Sequence, residues 1–121
     1  MNMEKIIIAG GRKFNDYNFL QRSCTKAIKA IKGKKDIEIV SGTAQGADLL
    51  GERFAIEKGY PIKRFPADWA TFPKAGGIIR NGNMARYANR LIAFWDGKNR
   101  GTDSMIELAR KYKLKILVVR Y

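Results

Sequence analysis

Five short runs of β-branched and aliphatic residues alternate with four longer stretches of helical period, and this alternation constrains the fold more than any other feature of the chain. Lys5-Ile6-Ile7-Ile8-Ala9 is apolar at consecutive positions, as a strand covered on both faces must be. Ile37–Ser41, Ile62–Phe65, Leu91–Trp95 and Lys115–Val119 repeat that pattern. Between the first two, Leu20, Cys24, Ala27, Ile28 and Ile31 recur at helical spacing with lysines among them, and Gly33 is placed to end the helix. Ala47, Leu50, Phe54 and Ala55 mark a second helix closed near Gly59. A third is predicted over Ile79–Ala88, and Met105, Leu108, Ala109 and Tyr112 form the stripe of a fourth. Consecutive βαβ units require parallel strands and right-handed crossovers. The expected architecture is a single α/β domain over residues 1–121, a Rossmann-like three-layer sandwich. Its mainly parallel five-stranded sheet carries helices on both faces.

Charge and residue usage narrow the chemistry. With 24 Lys+Arg against 11 Asp+Glu, the net charge is +13, which favours anionic partners. The sequence has no histidine, so histidine acid–base chemistry is excluded and no metal site is expected. Cys24 is the single cysteine and no internal disulfide can form, as suits a reducing compartment. The apolar run after Lys5 stops at Gly10, too short for a secretory leader, and no segment approaches a membrane span. These features point to a cytoplasmic protein without a membrane partner.

In open parallel sheets, ligands bind beyond the carboxyl ends of the strands. The glycines fall there: Gly10 and Gly11 after the first strand, Gly42 and Gly46 after the second, Gly97 and Gly101 after the fourth. Such loops admit close backbone approach, and the helices that follow aim free N–H groups at the same space. Arg12, Arg80 and Arg100 lie in or beside these loops and offer the planar donor fork that suits phosphate. Thr102 stands at a helix start, as a cap or as a phosphate contact, and Asp48 lies in a first helical turn. Trp69 sits in the long irregular segment Pro66–Gly77, where it could stack on a base, whereas Trp95 ends a strand and reads as core. Neither G-x-G-x-x-G nor G-K-[ST] occurs, which disfavours ordinary dinucleotide cofactors and P-loop hydrolysis.

Four segments, in order, match a family pattern. Ala9-Gly10-Gly11-Arg12-Lys13-Phe14-Asn15-Asp16 is similar to G-x-R-x-F-x-D, and Ser41-Gly42-Thr43-Ala44-Gln45-Gly46-Ala47-Asp48 to S-G-G-A-R-G-A-D. Phe65-Pro66-Ala67-Asp68-Trp69 with Gly77-Ile78-Ile79-Arg80-Asn81-Gly82-Asn83-Met84 is similar to F-P-A-D-W … G-P-I-R-N-x-x-M. Ala93-Phe94-Trp95-Asp96-Gly97-Lys98-Asn99-Arg100-Gly101-Thr102 is similar to A-F-W-D-G-x-S-x-G-T. The chain thus resembles the YspA-like family of the SLOG superfamily, whose relatives include the DprA/Smf DNA-processing proteins and the LOG phosphoribohydrolases. The resemblance implies a Rossmannoid fold and a nucleotide-derived ligand, with no certain cofactor. The motif positions add Asp16, Ser41, Thr43, Asp68, Asn81 and Asp96 to the candidate ligand-binding residues. There are departures: Thr43 stands where glycine is common, Gln45 where arginine is, Ile78 where proline is, and Asn99 where a small hydroxyl residue is. Against the LOG pattern G-G-x-G-T-x-x-E, Gly101-Thr102 puts Met105 at the catalytic glutamate. The R-K-x-x-M element aligns with Arg80 to Met84, so an arginine contact with ligand is implied there.

Three functions are weighed on these residues. The first is a module that senses or sequesters a nucleotide-type small molecule. The second is a nucleotide-processing hydrolase drawing on Asp16, Asp48, Asp68 or Asp96, its catalytic residue unknown. The third is phosphate-dominated, nonspecific nucleic-acid binding of the kind the DprA resemblance implies, without base-reading motifs. A homo-oligomer, dimer or higher, is left open.

Overall fold

The computed structural model describes residues 3–33 and 35–121. In chain order the elements are β1 (Met3–Gly10), α1 (Tyr17–Lys29), β2 (Asp36–Ser41), α2 (Ala47–Lys58), β3 (Ile62–Arg64), α3 (Gly76–Tyr87), β4 (Arg90–Trp95), α4 (Arg100–Lys111) and β5 (Lys115–Arg120). The strands are parallel and lie in the order β3-β2-β1-β4-β5. β1 is central, with Ile6 opposite Ile39 on one side and Arg90 on the other. This is the Rossmann-like α/β fold.

The unbroken apolar run of β1 follows from its position. Ile6 and Ile8 pack with Leu20, Cys24, Phe54 and Ala55 of α1 and α2. Ile7 and Ala9 pack with Met84, Ala85, Met105 and Ile106 of α3 and α4. Both faces of the strand are therefore core, as the layered architecture requires. Gly59 ends α2 in the left-handed conformation, φ 75°.

Three boundaries differ from the sequence pattern. α1 stops at Lys29, and Gly33 lies in the turn beyond it. α3 begins at Gly76 inside the stretch read as loop, because the turn before it feeds the helix: Gly76 N–H donates to Phe72 O at 2.8 Å. α4 begins at Arg100, capped by the Asn99 side chain, so Thr102 is inside the first turn rather than at its cap. Among the described residues, no helix is long and apolar enough to cross a membrane.

Candidate functional site

A cleft of about 710 Å³ opens at the carboxyl ends of β1 and β4. Gly10 and Gly11 form its floor beneath β1, and Arg100, Gly101 and Thr102 of the α4 first turn form one wall. Asp48, Trp69, Arg80 and Asn81 form the other, with Arg12 and Asp96 at the rim. The structure brings these candidates together from segments far apart in the chain.

Gly46 makes this convergence sterically feasible. It has φ 86°, and a Cβ there would stand 2.6 Å from Arg12 O, so only glycine lets the β2–α2 loop seat against the β1–α1 loop. Ala47 N–H then donates to Gly11 O at 3.3 Å. The leading N–H groups of the other helices are similarly engaged, Gly76 with Phe72 O and Thr102 with Asn99 Oδ1. The helix starts are thus partly satisfied by the protein itself, and the positive character of the cleft rests mainly on side chains. Arg12, Lys13, Lys74, Arg80 and Arg100 line it, against the carboxylates of Asp48 and Asp96.

Arg80 is the ordered cation of the group. It is half-buried, donates from Nη1 to Gly42 O, and from Nε to Asn81 Oδ1 at 2.9 Å. Burial lowers its pKa, the nearby Arg12 charge adds to that, and Asp48 opposes it. Asp48 is buried, and Ala44 N–H donates to its Oδ2 at 3.2 Å. Burial pushes its carboxyl up to about 6, against the pull of the Ala44 N–H, the Arg80 charge and the Gly10 N–H. The Trp69 ring rests on the start of α3, its Cε3 3.1 Å from where a Cβ on Gly76 would be.

Several candidates hold loops and do not line this cleft. Asp16 caps α1 by accepting from Phe19 N–H at 3.1 Å. Asp68 accepts from Thr71 N–H at 3.1 Å, closing the turn that feeds α3. Gly97, φ 86°, packs against Arg120. Ser41 is buried and donates to Glu52 Oε2 at 2.7 Å, while Arg64 donates to Glu52 Oε1 at 3.0 Å. That network fixes the β2 end, because Thr43 N–H donates back to Ser41 Oγ at 3.0 Å. Gly42 and Thr43 line a smaller adjoining chamber. Asp96 lines the main cleft yet accepts from Lys98 and Asn99 N–H at 2.8 Å each, which lowers its pKa. Trp95 is half-buried and donates from Nε1 to Asn99 O at 3.0 Å, so it braces the loop before α4.

Lys13, Lys74, Asn99, Ser104 and Tyr121 also line the cleft. Lys13 adjoins Arg12 and was legible as part of that loop, whereas Tyr121 is delivered by β5 and nothing in its local sequence marks it. Met105 lies at the cleft wall and is 1% exposed, within the α3–α4 core cluster.

A family model, described as YspA, cpYpsA-related SLOG family, matches residues 4–72. The matched span carries the first two glycine loops and Trp69, and ends before Arg80. Among solved structures, DNA processing protein A from Helicobacter pylori, described for its single-stranded DNA binding mode, aligns with a TM-score of 0.67 at 21% identity. The alignment covers 98% of this chain and 66% of that one, so this chain spans just under two thirds of that protein. No curated protein matches the chain.

Proposed function

Because the chain belongs to the YspA, cpYpsA-related SLOG family, we propose that its cleft binds a phosphate-bearing, nucleotide-derived ligand and acts as a sensing or sequestering module. The observation that carries this reading is Arg80. Its Nη1 and Nε are committed to Gly42 O and Asn81 Oδ1, so its orientation is set before any ligand arrives, while Nη2 lies 3.8 Å from where a Cβ on Gly77, a cleft-lining residue, would be. A fixed guanidinium fork in a basic, glycine-floored cleft is suited to a phosphate. In this reading Arg12 and Arg100 supplement the charge, and Trp69 offers a face to a base. A cytoplasmic setting fits the buried free thiol of Cys24.

The same geometry argues against base release of the LOG type. Such a reaction develops positive charge on the sugar, and a carboxylate beside it supplies much of the stabilisation. Met105 is neutral and packed in the core. Of the aspartates weighed for hydrolysis, Asp48 is the buried one at the cleft, and it stands beside Arg80.

The deciding experiment is to purify the protein, denature it, and identify released small molecules by mass spectrometry, followed by calorimetric titration of what is found. A nucleotide recovered in near-stoichiometric amount supports the reading. An empty release, with no heat from a panel of nucleoside phosphates, overturns it.

A second reading is favoured by the net charge of +13 and by the similar fold of a protein described for single-stranded DNA binding. Binding of that kind would strengthen with strand length and fall steeply with salt.

A further inference from the structure

The cleft does not end at Trp69. A second chamber of about 280 Å³ lies beyond it, lined by Thr43, Gln45, Pro66 and Ala67. Arg12, Ala44, Trp69 and Arg80 line both chambers and form their common wall. At about 280 Å³ the second chamber is at the small end for a ligand site, about 300–1,000 Å³, and it shares four lining residues with the larger cleft, so the two form one groove. The common wall holds two guanidinium groups and an indole. Beyond the two arginines, the smaller chamber offers a hydroxyl, an amide and apolar surface, and no further formal charge.

These features place charge and neutrality in a fixed sequence along the groove. The larger chamber is charged, the wall is doubly cationic, and the smaller chamber is neutral. The geometry points to a ligand of two nucleoside-sized units joined through a phosphoryl group, with the linkage held between Arg12 and Arg80 and one unit in each chamber. This inference rests on the nucleotide-binding reading above and names the ligand class for the same cleft.

The electrostatics of the wall fit a bridging anion. Arg12 and Arg80 are close enough for the first to depress the second. Among the described residues neither is in an ion pair, and Arg12 is exposed. Asp48 Oδ2, which accepts from the Ala44 N–H, stands with Arg80 Nη1 around the point where a Cβ on Gly42 would be, and attracts Arg80. Asp48 offsets the Arg80 charge in part and no ion pair among the described residues offsets Arg12, so the wall keeps a net positive charge that suits a phosphoryl group accepting from both arginines. The Trp69 ring has its edge against the start of α3, lies at both chambers and is 45% exposed, so ring surface remains for a base. A mononucleotide would fill one chamber and leave the other to water.

The linkage can come from a free pyrophosphate-joined dinucleotide or from one phosphodiester step of a single strand. The test titrates four probes in parallel, in adenine, guanine, cytosine and uracil series: the nucleoside monophosphate, the phosphodiester-linked dinucleoside, the pyrophosphate-linked dinucleoside, and a homopolymeric oligonucleotide. The expected result is that one linked form binds more tightly than its monophosphate by about ten-fold or more, the scale of one additional stacked base. Gln45→Trp, and independently Ala67→Trp, should cut that ratio to near one by filling the smaller chamber. Thermal melts check that each variant is folded, and Gln45 is exposed, so its replacement leaves the core intact. A preference for the pyrophosphate form assigns a free dinucleotide, and a preference for the phosphodiester form that grows in the oligonucleotide assigns a strand. Equal affinity for monophosphates and linked forms overturns the two-unit ligand while leaving nucleotide binding in place. A ratio that survives both tryptophan substitutions overturns it as well, and binding of none of the four overturns both readings.

Discussion

The carboxylate of Asp48 and the guanidinium of Arg80 stand on either side of Gly42, attracting each other while each hydrogen-bonds to backbone. A Cβ on Gly42 would lie 2.6 Å from Asp48 Oδ2 and 2.9 Å from Arg80 Nη1, so a hydrogen at this position is what lets both groups reach the cleft. Gly42→Ala should push the Arg80 head off Gly42 O and weaken the best-binding nucleotide by roughly ten-fold, the loss expected for one charged hydrogen bond. Calorimetry checks this, and unchanged affinity in a folded variant would count against the arrangement.

Arg80→Ala removes the oriented cation itself. Nucleotide affinity should fall by about 1.5–3 kcal/mol, the range for hydrogen bonds to charged groups. Arg80→Lys should recover less than half of that, because a compact ammonium on a flexible stem does not reproduce the planar fork whose separate nitrogens engage Gly42 O and Asn81 Oδ1. Full recovery by lysine would show that charge alone matters.

Asp48 makes stability depend on pH in an unusual direction. Its carboxyl titrates at about 6 in the fold, against about 3.9 in an unfolded chain. The folded state therefore holds this proton more tightly, and ionising the group above pH 6 costs stability. Asp48→Asn keeps an oxygen acceptor for Ala44 N–H without that cost. The stability of the variant relative to wild type should drop by on the order of 2–3 kcal/mol as pH falls from 8 to 4, with most of the change between 6 and 4. Denaturant melts across that range measure it, and a difference independent of pH would refute the assignment.

Thr43 has φ 64°, in the left-handed region that β-branched residues avoid. Left-handed backbone costs a non-glycine residue about 1–2 kcal/mol, partly offset by the greater unfolded-state freedom of glycine. Thr43→Gly should stabilise the fold by about 0.5–1 kcal/mol, a rise of roughly 2–5 °C in Tm. A lower Tm would mean that the threonine side chain contributes more than its backbone costs.

No free base should form when the protein is incubated with nucleoside monophosphates, because the LOG-type carboxylate position is Met105, within the core. Chromatography reads the product directly. Base release above background that disappears in Asp48→Asn would instead assign a hydrolase.

The layers were legible in the sequence because burial on two faces writes itself as Ile6-Ile7-Ile8, and burial on one as the Leu20, Cys24, Ala27 stripe. The start of α3 was not, since Gly76 and Gly77 look like loop residues. Their lack of side chains serves the Trp69 ring, 3.1 Å from where a Cβ on either would be, and that need is tertiary. The aspartates illustrate another limit. Asp16, Asp68 and Asp96 occupy strand-end loops as a ligand-facing carboxylate would, yet each accepts from nearby backbone N–H groups. Sequence position cannot separate a carboxylate that closes a turn from one that faces a cleft, because both belong in loops. Likewise Thr102 and Asn99 are both competent caps, and Asn99 takes the role because its backbone, φ −61° and ψ 120°, turns its side chain toward the Thr102 N–H.

The central place of β1 also sets the order in which the molecule can be assembled. Its neighbour β4 arrives late, and Lys5 N–H pairs with Asn89 Oδ1 across 84 residues of chain. During synthesis β1 emerges first and waits with one edge bare until β4 has left the ribosome, and contacts of such long span slow folding. The seam between β1 and β4 is also where the cleft opens, with Gly10 beside Phe94. A ligand bound at that seam would therefore not template the early steps. A ligand held there would stabilise a finished sheet, and a chain without α4 would lack one wall of its cleft.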